Sequence, residues 1–336
     1  MIESFKQIGN ETARSILSIT DNPLISLFTG LLITAIIQSS STTTSMIVAI
    51  VAAGSMNFEN AIPMIMGANI GTTLTSTLIS LSFMTKKPDF QRAFSAGVLH
   101  DLFNITMVVI LFPLEYFFKF LSGLAYILSD LLKARSSKLF INGDYNLDLT
   151  SPLTDLVYGF ISNPYISLFM GCILLFISIK VISNQISKTL ISQNESKLDD
   201  GNIQNFWKPF GLGTLLTAGI QSSSITTSII VPVAASGTVS LKNLFPFIIG
   251  ANVGTTITAL IAAFFISTDA ITIAIVHVLF NLFGFILYLA MPQLRKFTLQ
   301  LSEKLGELTL TYRLFGLYYI LIVFFLIPFL LIYISK

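Results

Sequence analysis

The sequence predicts an all-α polytopic membrane protein made of two inverted repeats. Each repeat is expected to carry a re-entrant helical hairpin with a Gln-Ser-Ser-Ser tip and a transmembrane helix unwound at Gly-Ala-Asn-x-Gly-Thr-Thr. Three observations predict this fold. Of 336 residues, 53% are hydrophobic and 11% charged, with a mean hydropathy of +0.80, the composition of a chain whose main solvent is lipid. The run Gln38-Ser39-Ser40-Ser41 returns as Gln221-Ser222-Ser223-Ser224, and residues 34–76 align without a gap on 217–259 with 24 of the 43 positions identical, far above chance for two membrane segments. Both runs lie at the centre of apolar stretches, where polar groups must face protein or a cavity rather than lipid.

The elements follow in order. Residues 1–23 read as an N-terminal amphipathic segment without the apolar core of a signal peptide. Repeat 1 spans 24–112 and comprises a hairpin, a broken helix and a transmembrane helix, carried by apolar stretches at 24–54, 61–84 and 94–112. Only fourteen residues run from Leu24 to Ile37, short of the roughly 20 that a spanning helix needs, so this arm is expected to dip in and return. Residues 113–163 should form an interfacial helix, at 114–132, and an external loop. A transmembrane helix at 164–183 and a polar cytoplasmic linker at 184–209 lead to repeat 2 at 210–291, again a hairpin, a broken helix and a transmembrane helix. An interfacial helix at 292–313 and a C-terminal transmembrane helix at 314–336 complete the chain.

If the hairpins do not cross, three spans separate the copies, and an odd number inverts the second copy relative to the first. The side richer in Lys and Arg, including Lys86, Lys87, Arg92, Lys208, Lys242 and Arg295, is then cytoplasmic. A competing reading keeps each Gln-Ser-Ser-Ser segment as one continuous helix with hydroxyls bonded to its own carbonyls, and gives the glycines of Gly-Ala-Asn-x-Gly-Thr-Thr to close helix packing.

Several function classes are excluded. One cysteine, Cys172, allows no disulfide framework, and two histidines cannot build a multi-histidine metal site. A net charge of +2 without a basic block argues against nucleic acid. Neither serine run sits in a Gly-x-Ser-x-Gly turn or has a histidine close in sequence, which argues against a hydrolase, and no enzymatic activity is expected.

The polar elements favour an anion together with a small hard cation. A hairpin tip presents the N-terminus of its returning arm, where free N–H groups and the helix dipole attract negative charge. Ser39, Ser40 and Ser41 opposite Ser222, Ser223 and Ser224 would surround a tetrahedral oxyanion, with Gln38 and Gln221 adding amide donors. Two glycines per Gly-Ala-Asn-x-Gly-Thr-Thr element would let the helix unwind. Its carbonyls, with Asn69, Thr72 and Thr73 in one copy and Asn252, Thr255 and Thr256 in the other, suit an ion such as sodium. Neither region contains Lys or Arg, so an anion entering it would need cations to accompany it. His100 with Asn104, and His277 with Asn281, match once the offset between copies shortens by six residues. They are expected to be polar glue between helices, with bonding to the hairpins or shaping of a cavity as the other readings. Asp101 has Val278 as its counterpart, and is read as a cation ligand, a proton acceptor or a partner of Arg92 or a loop lysine.

Gln-Ser-Ser-Ser in both halves, each followed by Gly-Ala-Asn-x-Gly-Thr-Thr, resembles the type II sodium/phosphate cotransporter family, over about 22–112 and 165–291. The resemblance implies sodium-coupled import of inorganic phosphate by alternating access, with sodium as coupling ion, no other metal and no cofactor. Carried over by position, it implies phosphate binding at Gln38 to Ser41 and Gln221 to Ser224. It implies sodium binding at Thr43, Asn69, Thr72, Thr73, Thr226, Asn252, Thr255 and Thr256. The expected setting is a multi-pass protein of the cell membrane, the cytoplasmic membrane of a bacterium. On the residues alone a sodium-coupled carrier for another oxyanion such as sulfate, or an anion channel, stays open. Two departures stand out: the first copy lacks an equivalent of the helix at 165–182, and no regulatory helical domain follows the last apolar segment. Regulation through such a domain would then need a separate cytoplasmic protein, and a second copy in a homodimer is the other possible protein partner.

Overall fold

The computed structural model describes residues 22–139, 206–264 and 268–335 with a few residues between 163 and 174, and side chains are described outside 132–139, 258 and 261–270. The expected N-terminal segment, external loop and cytoplasmic linker, and most of the transmembrane helix at 164–183, lie outside the described residues. Among the described residues the regular structure is entirely helical.

The first copy gives α1 (Pro23–Ile37), α2 (Ser40–Ala52), α3 (Phe58–Ser80), α4 (Lys87–Phe118) and α5 (Phe120–Leu139). The second gives α6 (Trp207–Ile220), α7 (Ser223–Ser236), α8 (Leu241–Phe264), α9 (Thr268–Ala290) and α10 (Pro292–Thr311). A last helix, α11 (Phe315–Ile334), contains a π-helical stretch at Ile322–Leu326. Among the described residues four helices are long and apolar enough to cross a membrane: Phe58–Phe83, Lys87–Phe118, Ile271–Ala290 and Phe315–Ile334. This is a multi-pass membrane protein.

Local chemistry sets the helix ends. Asn22 caps α1, its Oδ1 accepting from the Leu24 N–H at 2.9 Å, and Pro23 occupies the first turn, where its missing N–H leaves no bond unmade. The sequence suggests an interfacial helix from 114, but α4 runs on to Phe118 and breaks at the left-handed Lys119. The reason is Glu115, whose carboxylate accepts from the N–H groups of Leu121 (2.7 Å) and Ser122 (3.1 Å) and so caps the start of α5.

One expectation is corrected. The Gly-Ala-Asn-x-Gly-Thr-Thr segment of each copy is not unwound: α3 and α8 run through it as continuous helices. Its glycines serve close approach instead. Gly67 faces the backbone of Leu27, Gly71 that of Leu31, and Gly30 on α1 faces Met64, so the axes of α1 and α3 come together where any Cβ would collide. The second copy repeats the contact through Gly250 against Phe210, Gly254 against Thr214, and Gly213 against Phe247. Held this way, the helices keep their internal ladder, and the packing reading of these glycines is the one observed.

The copies interlock. The helix after each serine turn reaches into the other copy as well as its own: α7 packs on α3 and α4 besides α8, and α2 packs on α8 and α9 besides α3. Arg92 of α4 secures this on one side, its Nε and Nη2 donating to the Ala235 carbonyl at 2.9 and 2.7 Å near the C-terminus of α7. A buried aromatic cluster of Phe103, Phe245 and Tyr288 joins α4 to α8 and α9, with ring centroids 5.0–6.2 Å apart.

Candidate functional site

Each serine run is a sharp break between two helices. Gln38 ends α1 at φ 57 and ψ 31, and Gln221 ends α6 at φ 57 and ψ 25, both left-handed. That conformation costs a non-glycine residue roughly 1–2 kcal/mol. A glutamine kept where glycine would sit without strain points to a use for its side chain. The next residue reverses the chain into a new helix: Ser39 and Ser222, both at φ −148, cap α2 and α7 by accepting from the N–H groups of Thr42 and Ile225. Each Gln-Ser-Ser-Ser segment is thus two helices and not one continuous helix, with the same backbone geometry in each copy.

The two turns meet. Ser41 Oγ donates to the carbonyl of Gln221 at 3.2 Å, joining the start of α2 to the turn of the other copy. Ser40, Ser41, Ser223 and Ser224 are buried, while Ser39 and Ser222 are half-buried and Gln38 is exposed. Nearby, Ser76 Oγ bonds Thr227 Oγ1 at 2.9 Å across the copies. The equivalent positions are Ala259 and Thr44, and the Thr44 hydroxyl is buried without a partner among the described residues.

Among the described residues the structure gathers N-termini, hydroxyls and amides here without a fixed cation. No Lys or Arg lies within 34–57 or 217–240. Among the described residues Arg92 pairs with Asp89 and Lys119 with Glu59. The suggested pairing of Arg92 with Asp101 is therefore not formed. The Asp101 carboxylate is fully buried, accepts from Thr77 Oγ1 at 3.1 and 2.9 Å, and is faced by the hydroxyls of Thr73 and Tyr319.

The remaining candidates are buried on α2, α3, α7 and α8. Thr43, Thr72, Thr73, Thr226, Thr255 and Thr256 are buried, and each hydroxyl donates back to its own helix: Thr43 to Ser39, Thr226 to Ser222, Thr72 to Ala68, Thr255 to Ala251, Thr73 to Ile70 and Thr256 to Val253. Their proton is engaged while oxygen lone pairs stay available, a state suited to meeting a hard cation.

Sequence reasoning missed one arrangement. His100 Nε2 bonds Asn252 Oδ1 at 2.9 Å, and Asn252 Nδ2 donates to Asn104 Oδ1 at 3.3 Å. In the mirrored position His277 Nε2 bonds Asn69 Oδ1 at 3.2 Å, and Asn281 Nδ2 donates to the same oxygen at 3.3 Å. Each histidine–asparagine pair thus grips the asparagine of the other copy. The equivalence of the pairs was visible in the alignment, but their exchange of partners was not.

Comparison with known proteins identifies the lineage. A sequence model of the family described as Na+/Pi-cotransporter matches residues 1–131 and 174–314. The chain belongs to the Na+/Pi-cotransporter family. It is 29% identical over 407 residues to sodium-dependent phosphate transport protein 2A of Mus musculus, covering 97% of this chain and 63% of that protein. It is 28% identical over 422 residues to protein 2B of Homo sapiens, with 97% and 61% covered. Against protein 2C of Rattus norvegicus it is 29% identical over 359 residues, with 81% and 59% covered. The chain spans about three fifths of the length of these relatives. No solved structure matches it.

Proposed function

We propose that this Na+/Pi-cotransporter family member imports inorganic phosphate with sodium by alternating access. The observation that carries the reading is the junction of two serine turns at the bond from Ser41 to the Gln221 carbonyl, in a buried layer of helix N-termini and hydroxyls without Lys or Arg. Phosphate sits between Gln38 to Ser41 and Gln221 to Ser224, bound by N–H groups and hydroxyls at the starts of α2 and α7. Sodium ions are held by oxygens of Thr43, Asn69, Thr72, Thr73, Thr226, Asn252, Thr255 and Thr256. They supply the positive charge that the protein does not, so anion and cation bind well only together.

In this reading α1–α2 and α6–α7 are re-entrant hairpins of two inverted repeats, with the domain boundaries set out above except that repeat 1 runs on to Phe118 and α3 and α8 are unbroken. The third crossing that inverts the copies is the helix at 164–183. The hairpins move against the long helices to expose the site to either side. A bacterial cytoplasmic membrane, a homodimer and a separate cytoplasmic regulator complete the proposal.

The test is uptake of radiolabelled phosphate into proteoliposomes under an inward sodium gradient, against equal potassium, with sulfate as competitor. Sodium-dependent uptake that ignores sulfate is expected. Equal uptake in potassium would overturn the coupling, and full competition by sulfate would overturn the choice of substrate.

A further inference from the structure

We propose that His100 and His277 are positioning residues for the cation ligands, each acting through the asparagine of the opposite copy; the proposal rests on the reading of Asn69 and Asn252 as sodium ligands. Both histidines are buried, on α4 and α9, and each meets its asparagine through Nε2. Because Asn252 Nδ2 is spent on Asn104, the atom facing His100 is the amide oxygen, so His100 must donate from Nε2–H. The same logic holds for His277, since Asn69 Nδ2 donates to the Ile65 carbonyl at 2.9 Å.

The second ring nitrogen of each histidine, Nδ1, is buried with no hydrogen-bond partner. The ring therefore has a single polar contact among the described residues, and that contact is the asparagine. A side chain present only to glue helices would satisfy both nitrogens or do without them. What this one accomplishes is to fix an amide plane. Asn252 is held at both ends, by His100 on oxygen and by Asn104 on nitrogen, and one lone pair of its oxygen stays free for an ion. Asn69 is held more fully: its oxygen already accepts from both His277 and Asn281. The two asparagines are consequently unequal. Asn252 presents a cation-ready oxygen in this conformation, whereas Asn69 must release Asn281 or His277 first.

The experiment is a double-mutant cycle read as the sodium concentration that half-activates phosphate uptake in proteoliposomes. Asn252→Ala should raise that concentration about 10-fold, and His100→Ala should raise it by a similar factor, as loss of an outer-shell partner does at metal sites. The double variant should be no worse than Asn252→Ala alone. His100→Gln, which can still donate from its amide, should recover much of the affinity. Phosphate KM at saturating sodium should hold steady throughout. If Asn252→Ala leaves sodium dependence unchanged, the cation-site reading falls and the proposal with it. If Asn252→Ala shifts it but His100→Ala lowers only the maximal rate, or the two shifts multiply in the double variant, the positioning role alone is overturned. Should His100→Ala fail to elute as a monodisperse protein, His100→Phe, which fills the space without a donor, takes its place in the cycle and is judged by the same criteria.

Discussion

Replacing Gly71 with alanine tests why glycines occur in the Gly-Ala-Asn-x-Gly-Thr-Thr elements. A Cβ there would lie 2.5 Å from the Leu31 carbonyl oxygen, 2.7 Å from Thr34 Cβ and 3.0 Å from the Ala35 nitrogen, where ordinary contacts begin near 3.4 Å. Two of the three obstacles are backbone, so relief requires α1 and α3 to move apart by close to an ångström. Overpacking of this kind costs about 1–3 kcal/mol. Gly254→Ala meets the same geometry, with the Thr214 oxygen at 2.5 Å and Thr217 Cβ at 2.8 Å, and should behave alike. Gly211 offers the control: it lies inside α6, and a Cβ added there would meet nothing within 4 Å. Gly211→Ala should therefore stabilise by about 0.5–1 kcal/mol through helix propensity. The assay is thermal unfolding of the purified protein in detergent, run beside sodium-dependent uptake. Loss of stability at 71 and 254 with a gain at 211 is expected. Full stability of Gly71→Ala combined with lost sodium dependence would refute the packing argument, because glycine would then be needed for unwinding and not for approach.

The left-handed glutamine makes a second test. Gln38→Gly should raise stability by roughly 1 kcal/mol by removing strain, yet lower phosphate affinity because the amide is lost; unfolding and uptake measured together check it. Ser41→Ala removes the bond between the turns and leaves the Gln221 carbonyl unpaired, which should cost about 1–3 kcal/mol and depress phosphate uptake. Ala259→Ser should supply the partner that the buried Thr44 hydroxyl lacks and stabilise by about 0.5–1.5 kcal/mol, whereas Ser76→Ala should lose a similar amount by removing the bond to Thr227, which keeps only its bond to the Ser223 carbonyl; both appear in thermal unfolding.

The breaks at Gln38 and Gln221 were legible in the sequence because they rest on local chemistry: a serine that caps, preceded by a residue that must turn, inside an apolar stretch too short to span. The state of the glycine elements was not legible. Gly67 and Gly71 spaced by four serve unwinding and close packing equally well, and only the backbone of Leu27 and Leu31 opposite them decides between the two. Boundaries slipped where a distant side chain intervened, as at Glu115, whose carboxylate caps a helix six residues on. The grip of His100 on Asn252 was hidden for a different reason. Alignment of the copies reveals which residues are equivalent, whereas contact between non-equivalent ones depends on how the copies are placed in space.

The exchange of partners between copies bears on how such a chain can exist at all. Asn69 finds its partners on α9 and Asn252 on α4, and α2 and α7 each pack on helices that the other copy provides. A half-length chain would insert with buried amides and hydroxyls unanswered, and a second molecule offering the same surface would be the nearest remedy. Fusion of two such halves replaces a concentration-dependent encounter by an intramolecular one. By the same logic, the two halves synthesised as separate polypeptides should find each other in the bilayer and rebuild the whole.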